Sequence, residues 1–341
     1  MKFGHRFFIY GPFALFVILA VGAGGRWWVI ANELSARLDK LNGHEFAPGM
    51  TLHFGSKRIA GFPFNLDTVF HDFEIDVATP HGPFRWRTRD FATHALTYGR
   101  SQTILEAAGL QTLDWTGLDG KPKNFRFMPG SLRGDTIETD NSLSRLDLVV
   151  VGVGSSAFTA ADAQLHMRVS PAGGGLDIFF AANGIRLSPH ERFAFGDEIR
   201  TVRLEGKLEP SHPFDALRAR RADWVSAMEA FHNAGGALAV QGVQVQFPTF
   251  NALGKGRIQL DDAHRLAGIV DVKTQGFSRF VEWNRARVSN HQSGMAVASA
   301  LLDRAAKAGS NAAGEMGVVL GAKDGIAYVG DEPAGMMSPL Y

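Results

Sequence analysis

The hydrophobic pattern of this chain falls into three regimes. From Phe7 to Gly25 no charged residue occurs, and Phe13 to Val21 is continuously apolar. Such a run predicts a helix able to cross a bilayer, for which about 20 apolar residues suffice. Phe7, Phe8, Phe13, Leu15 and Phe16, then Val17, Ile18, Leu19 and Val21, supply its apolar surface. Trp27 and Trp28 stand just beyond it, where indoles favour the water interface. Ile30, Leu34, Leu38 and Leu41 then recur at helical spacing among Glu33, Arg37, Asp39 and Lys40. This second regime predicts an amphipathic helix over 27–42, stopped by Asn42-Gly43. It reads as a stalk or docking helix, or as a helix capping the end of a sheet.

From Thr51 the period shortens to two, which is the period of strands with one wet and one dry face. Phe64, Leu66, Thr68 and Phe70 alternate with Asn65, Asp67 and Val69, and the phase then flips to Phe73, Ile75 and Val77. A flip inside one strand predicts a bulge or break near His71. Thr79-Pro80-His81-Gly82-Pro83 is turn composition, so Val77 should face Phe84, setting Asp76, Glu74 and Asp72 opposite Arg85, Arg87 and Arg89. The acidic trio could also be read as a cation site, but one strand face does not converge oxygen ligands as such sites require. The alternation continues at Leu146, Leu148 and Val150, at Leu165, Met167 and Val169, at Leu176, Ile178 and Phe180, and at Val202, Leu204 and Leu208; Val243, Val245 and Phe247 follow. Two helices are expected among these strands. One spans about 213–233, with Phe214, Leu217, Trp224, Met228 and Phe231 on a stripe, Ser211 as cap, and Arg218, Arg220 and Arg221 outside; the other spans about 277–308.

The resulting fold class is mainly β with a few helices (α+β): an N-terminal transmembrane helix, then an elongated, curved antiparallel sheet over 50–341 capped by helices. Lys2, His5 and Arg6 precede the apolar run, so residues 1–6 are expected in the cytoplasm, 7–25 as a signal-anchor in the inner membrane, and the single-pass chain beyond it in the periplasm. Ala20-Val21-Gly22 or Gly22-Ala23-Gly24 would instead suit a cleaved signal peptide, and a buried core helix is a third reading of the same run. Thirty-five basic against 34 acidic residues leave no electrostatic footprint for nucleic acid. With no cysteine, the chain has no disulfide, thiolate metal site or cysteine nucleophile.

Recognised chemical motifs are missing. The sequence has no Gly-x-Ser-x-Gly elbow, His-Glu-x-x-His or P-loop, and Gly152-Val153-Gly154-Ser155-Ser156 lacks the third glycine of a dinucleotide fingerprint. It reads as a strand end and turn. His53 and His71-Asp72 have no sequence reason to meet. No enzyme activity, catalytic residue, cofactor or metal is therefore expected; a hydrolase would have to act through residues of no recognised motif.

Arg58-Ile59-Ala60-Gly61-Phe62-Pro63-Phe64, Gly254 to Val272, Val318-Val319-Leu320, Tyr328-Val329-Gly330 and Pro339-Leu340-Tyr341 together resemble the bacterial envelope family called domain of unknown function 2125. The strand repeats from Gly254 are also similar to those of AsmA-like inner-membrane proteins. The second resemblance implies folded-over sheets enclosing an apolar groove for lipid. Phe64, Leu66, Leu146, Leu148 and Leu165, then Met167, Leu204, Val243, Val245 and Phe247, are the groove candidates. A phospholipid or another acyl-chain ligand is the expected partner beside the bilayer itself. The alternative is a non-enzymatic scaffold whose protein partner in the envelope docks on a sheet edge or on Arg218, Arg220 and Arg221.

Overall fold

The structure, a computed structural model, describes residues 5–97, 101–117, 120–188, 196–276 and 315–341. The helix expected over 277–308 lies outside them. The anchor and the amphipathic segment are one uninterrupted helix, α1 (His5–Leu41). Its 37 residues give a length of about 55 Å, well beyond a bilayer core. Pro12 is accommodated within it, as proline is in apolar helices. Gly43 takes φ +79°, turning the chain into the first strand.

Eighteen strands form one sheet among the described residues. After β1 (His44–Ala47), β2 (Met50–His53) and β3 (Ser56–Ala60) come the long strands β4 (Asn65–Val77), β5 (Phe84–Leu96) and β6 (Gln102–Thr116). Then follow β7 (Pro122–Met128), β8 (Ser131–Thr139), β9 (Ser142–Ser155), β10 (Phe158–Val169), β11 (Leu176–Leu187) and β12 (Glu198–Glu209). The last six are β13 (Ala237–Gln246), β14 (Asn251–Leu260), β15 (Leu266–Gln275), β16 (Glu315–Lys323), β17 (Ile326–Val329) and β18 (Glu332–Met336). The pairings are antiparallel and follow chain order, except that β2 and β3 share one flank of β4, and β7 and β8 share one flank of β6. The fold is thus a long meander in which nearly every strand pairs with its sequence neighbours, as short turns between antiparallel strands favour.

A line of irregular backbone crosses this meander. It starts at Gly55, between β2 and β3, and passes through Asp72 (φ +53°), Arg89 and Gly109 (φ +81°). It continues through Gly130, Gly152 (φ +67°), Ala161, Gly184 (φ +60°) and Arg200. The phase flip expected near His71 is therefore real and sits on Asp72. In several strands the inward residues step by three instead of two, as in Phe70 to Phe73, Val150 to Val153 and Ile199 to Val202, so the apolar face stays continuous through the break. A Cβ on Gly184 would stand 2.9 Å from that of Ala161; the left-handed backbone and this close approach both call for glycine.

The cross-strand ladder forms on two of its three expected rungs. Asp76 pairs with Arg85 and Glu74 with Arg87 in register, and Arg85 Nε lies 2.6 Å from Asp76 and 3.2 Å from Glu74. Asp72 does not meet Arg89, because its left-handed conformation interrupts the alternation. Arg89 instead bonds Asp90 at 2.9 Å.

The helix expected over 213–233 is broken. A 3-10 turn (His212–Phe214) leads into α2 (Asp215–Arg218), and Arg220 at φ +57° separates this from α3 (Trp224–Asn233). Ser211 makes no side-chain cap. The cap belongs to Asp223, whose carboxylate accepts the Ser226 N–H at 2.7 Å. Phe214, Met228 and Phe231 fill a core with Leu176 and Leu260, packed by Leu217 and Tyr341, whereas Trp224 falls off the stripe and is exposed. A second core lies where Leu38 and Leu41 of α1 pack against Leu52, Phe54, Phe70, Phe73 and Phe91. The amphipathic part of α1 is thus docked on the sheet.

Candidate functional site

The strand registers align the inward side chains into rows perpendicular to the strands. One row runs Thr68, Thr93, Leu105, Gly134, Leu148 and Leu165, then Phe180, Leu204, Val243, Gly254, Val272 and Val318. Beside it, Leu66 and Ala95 lead through Thr103 and Thr136 to Leu146, Met167 and Ile178. The first row crosses eleven inter-strand steps, about 50 Å along the sheet at roughly 4.8 Å per step.

Eight of the ten expected groove residues share this face: Leu66, Leu146, Leu148, Leu165, Met167 and Leu204 with Val243 and Val245. Phe64 does not; it precedes β4 and is exposed at the rim. Nor does Phe247, which is buried in the turn after β13, edge-on to Phe250. Both were grouped with the strands by spacing, and each lies just past a strand end.

Burial along the face is uneven. At the α1 end Phe70, Phe73 and Phe91 are buried, and Phe73 and Phe91 stack at 4.2 Å. Leu176 and Leu260 are buried beneath α2 and α3. Between these two sealed regions Leu146, Leu148, Leu165, Met167, Phe180, Leu204, Val243 and Val245 are half-buried. A filled core would press a second layer on every one of them; here the middle of the apolar face is only partly covered.

At the start of β4 the face reaches α1. Trp27 donates its indole N–H to the Asn65 carbonyl at 2.7 Å and meets the Phe62 ring edge-on at 5.5 Å. Arg26 reaches the Thr97 carbonyl at 3.5 Å. The Phe64 carbonyl accepts from Thr97 N at 3.0 Å and Thr97 Oγ1 at 2.9 Å. The exposures are Phe62 61%, Phe64 57%, Leu96 51% and Trp28 64%. Sequence reading missed this rim because it exists only once α1 docks on a loop 38 residues away.

The polar face carries its own features. A concavity of about 940 Å³ spans β12 to β16. Arg203, Glu205, Lys255, Asp271 and Lys273 line it, with Gly242 and Gly317 leaving the polar face low between them; Val243, Gly254, Val272 and Val318, whose places are in the inward row, also border it. Only Val243 of the expected groove residues belongs to it. His53 stands beside Glu74 and Asp76, with ligand atoms within 4.8 Å of one another, but the Arg85 guanidinium already supplies the positive charge between those carboxylates. His71 pairs with Asp90 at 2.7 Å, away from His53. His94 pairs with Asp67 at 2.8 Å and His166 with Asp147 at 2.6 Å. The second nitrogens of these last two face Glu106 at 3.8 Å and Gln164 at 3.1 Å.

The expected basic docking face is also reorganised. Arg218 donates to the Leu143 carbonyl at 2.9 Å and to Asp215 at 2.7 Å, and Arg220 bonds Glu138 at 2.7 Å. Two of its three arginines therefore tie α2 to the β8–β9 turn. Gly152 to Ser155 closes β9, the strand end that the sequence implies.

Among the described residues one helix is long and apolar enough to cross a membrane, with a mean hydropathy of 1.8 in its most apolar window. Residues 27–337 match a family model described as uncharacterized protein conserved in bacteria (DUF2125). No curated protein and no solved structure matches the chain.

Proposed function

This chain belongs to the DUF2125 family of bacterial proteins, and on that footing we propose that it is an envelope protein, anchored in the inner membrane by α1, whose apolar sheet face holds the acyl chains of phospholipid. The observation that carries this reading is the half-buried middle of the rows from Leu146 to Val245, bounded by two buried clusters. Apolar side chains on a partly covered face gain by excluding water, about 25 cal/mol for each Å² removed from it. An acyl chain lying along a row would do this without disturbing the backbone pairing. The anchor keeps the sheet beside its source of lipid, and Lys2, His5 and Arg6 ahead of the span orient the sheet into the periplasm. On this reading the strands from Gly254, which in sequence alone resemble AsmA-like repeats, would put the sheet to the same use. The role is non-catalytic: binding and shielding, with transfer along the rows. A docking role through Arg218 and Arg220 has less support, since both are engaged within the chain.

The test is lipid recovery. Full-length protein purified in mild detergent should carry phospholipid detectable by mass spectrometry. Leu165→Glu and Leu204→Glu should lose it, while Val151→Glu, at a position 46% exposed, should retain it. Equal recovery in all three variants, or lipid-free protein of unchanged stability with one stoichiometric crosslinked partner, would refute the reading and favour the scaffold.

A further inference from the structure

The rim at the start of β4 sits at the depth of the anchor itself. The ring of Phe62 lies 3.3 Å from where a Cβ on Gly24 would be, and Gly24 falls inside the charge-free run that ends at Gly25. The indole of Trp27, one turn further on, pins the loop by its bond to Asn65. Gly61, at φ +94°, turns the loop so tightly that a Cβ there would stand 2.7 Å from Asp67 Oδ2. Phe62 and Phe64 thus project from a loop braced on both sides. Exposed clusters of aromatic and aliphatic side chains mark contact surfaces, and aromatic rings favour the headgroup level of a bilayer. This cluster is continuous with the exposed apolar surface of α1.

We propose that Phe62, Phe64, Leu96 and Trp28 insert into the periplasmic leaflet at the foot of α1, making the rim a second membrane contact and the entrance to the apolar rows. Leu66, two residues after Phe64, opens the row that leads to Leu146 and Met167, so an acyl chain leaving the leaflet at the rim meets Leu66 and Ala95 first and passes Thr103 and Thr136 before it reaches Leu146. The proposal rests on the anchoring part of the functional reading and adds the entry point.

The absence of cysteine makes a depth measurement direct. Single variants Phe64→Cys, Phe16→Cys and Met336→Cys carry an environment-sensitive fluorophore in vesicles of phosphatidylethanolamine and phosphatidylglycerol, with nitroxide-bearing lipid as quencher. The Phe64 probe should be blue-shifted and quenched several-fold more than the Met336 probe, whose site is 94% exposed, with the Phe16 probe quenched most strongly. A strongly quenched Phe16 probe beside a Phe64 probe no more quenched than that at Met336 would overturn the rim proposal and leave the anchor standing. An unquenched Phe16 probe would overturn both. Quenching at Phe64 in protein that recovers no phospholipid would uphold the membrane contact while removing the lipid-holding role.

Discussion

The difference between a partly covered apolar face and a filled core can be measured as a ratio of two destabilisations. Phe73 is 3% exposed and surrounded by Phe70, Phe91 and Trp86; cutting such a ring back to alanine costs about 3–5 kcal/mol. Leu165 is flanked by Leu148 and Phe180 in its row but is only half-buried. Were it sealed, Leu165→Ala would cost about 2–5 kcal/mol, from lost transfer energy and a residual cavity. On an incompletely covered face roughly two-thirds of the transfer term is lost, at about 0.8 kcal/mol per buried methylene, and no closed cavity forms, so the cost should be about 1.5 kcal/mol. Urea unfolding of the delipidated full-length protein in detergent, followed by tryptophan fluorescence, gives both values on one scale. Phe73→Ala should exceed Leu165→Ala about two- to three-fold. A Leu165→Ala cost equal to that of Phe73→Ala would show that the middle of the face is densely packed, and the argument for an acyl-chain site would fail.

Other consequences are narrower. Asp223→Ala removes the cap of α3 and should lower stability by about 0.5–2 kcal/mol, seen as a fall in the urea midpoint, with Asp223→Asn losing less. Hydrogen bonds from Arg89 and His71 hold Asp90 below the usual carboxylate range, as those from Asn124 and Arg87 do for Asp114. A depressed folded value adds stability above the unfolded pKa, so the urea midpoint should be flat above about pH 5 and fall below about pH 4 as these groups protonate; a midpoint unchanged down to pH 3 would contradict the pairs. Burial and the nearby Glu229 carboxylate push the Tyr341 phenol up to about 12. Its raised value means the contribution is complete below about pH 10, the unfolded pKa, and fades as pH climbs through the folded one. In absorbance titration one of the four tyrosines should ionise late, and Tyr341→Phe should remove that late component.

Much of the sheet was legible because strand alternation is local. The parity of Leu146, Leu148, Leu165, Met167 and Leu204 places them on one face wherever their strands pair, and the switch from Phe70 to Phe73 disclosed the break at Asp72. What alternation could not give was lateral alignment: the residues beside Leu148 depend on two registers and the whole row on eleven, each set by turns and bulges. The third ladder rung failed for a related reason, since pairing Asp72 with Arg89 assumed extended backbone where φ is positive. The helix over 213–233 had a good apolar stripe, but the left-handed Arg220 divided it, and Arg218 and Arg220 found partners in the β8–β9 turn. The Phe62–Phe64 rim was visible only as a family signature, because its neighbours come from α1. The concavity over β12 to β16 depends on Gly242 and Gly317, whose missing side chains acquire meaning only when their strands are stacked.

The aligned breaks from Gly55 to Arg200 also bear on how this meander finds its alignment. An uninterrupted two-faced strand can slide by two residues and still show its oily side to the interior, so alternation alone tolerates that error. Here such a slide would carry one strand's break out of step with its neighbours, and the residues caught between the displaced breaks would present the wrong side on each strand in turn. The kinks therefore act as a shared key, restricting each addition to the edge of the growing sheet to the single offset at which its notch meets the one before.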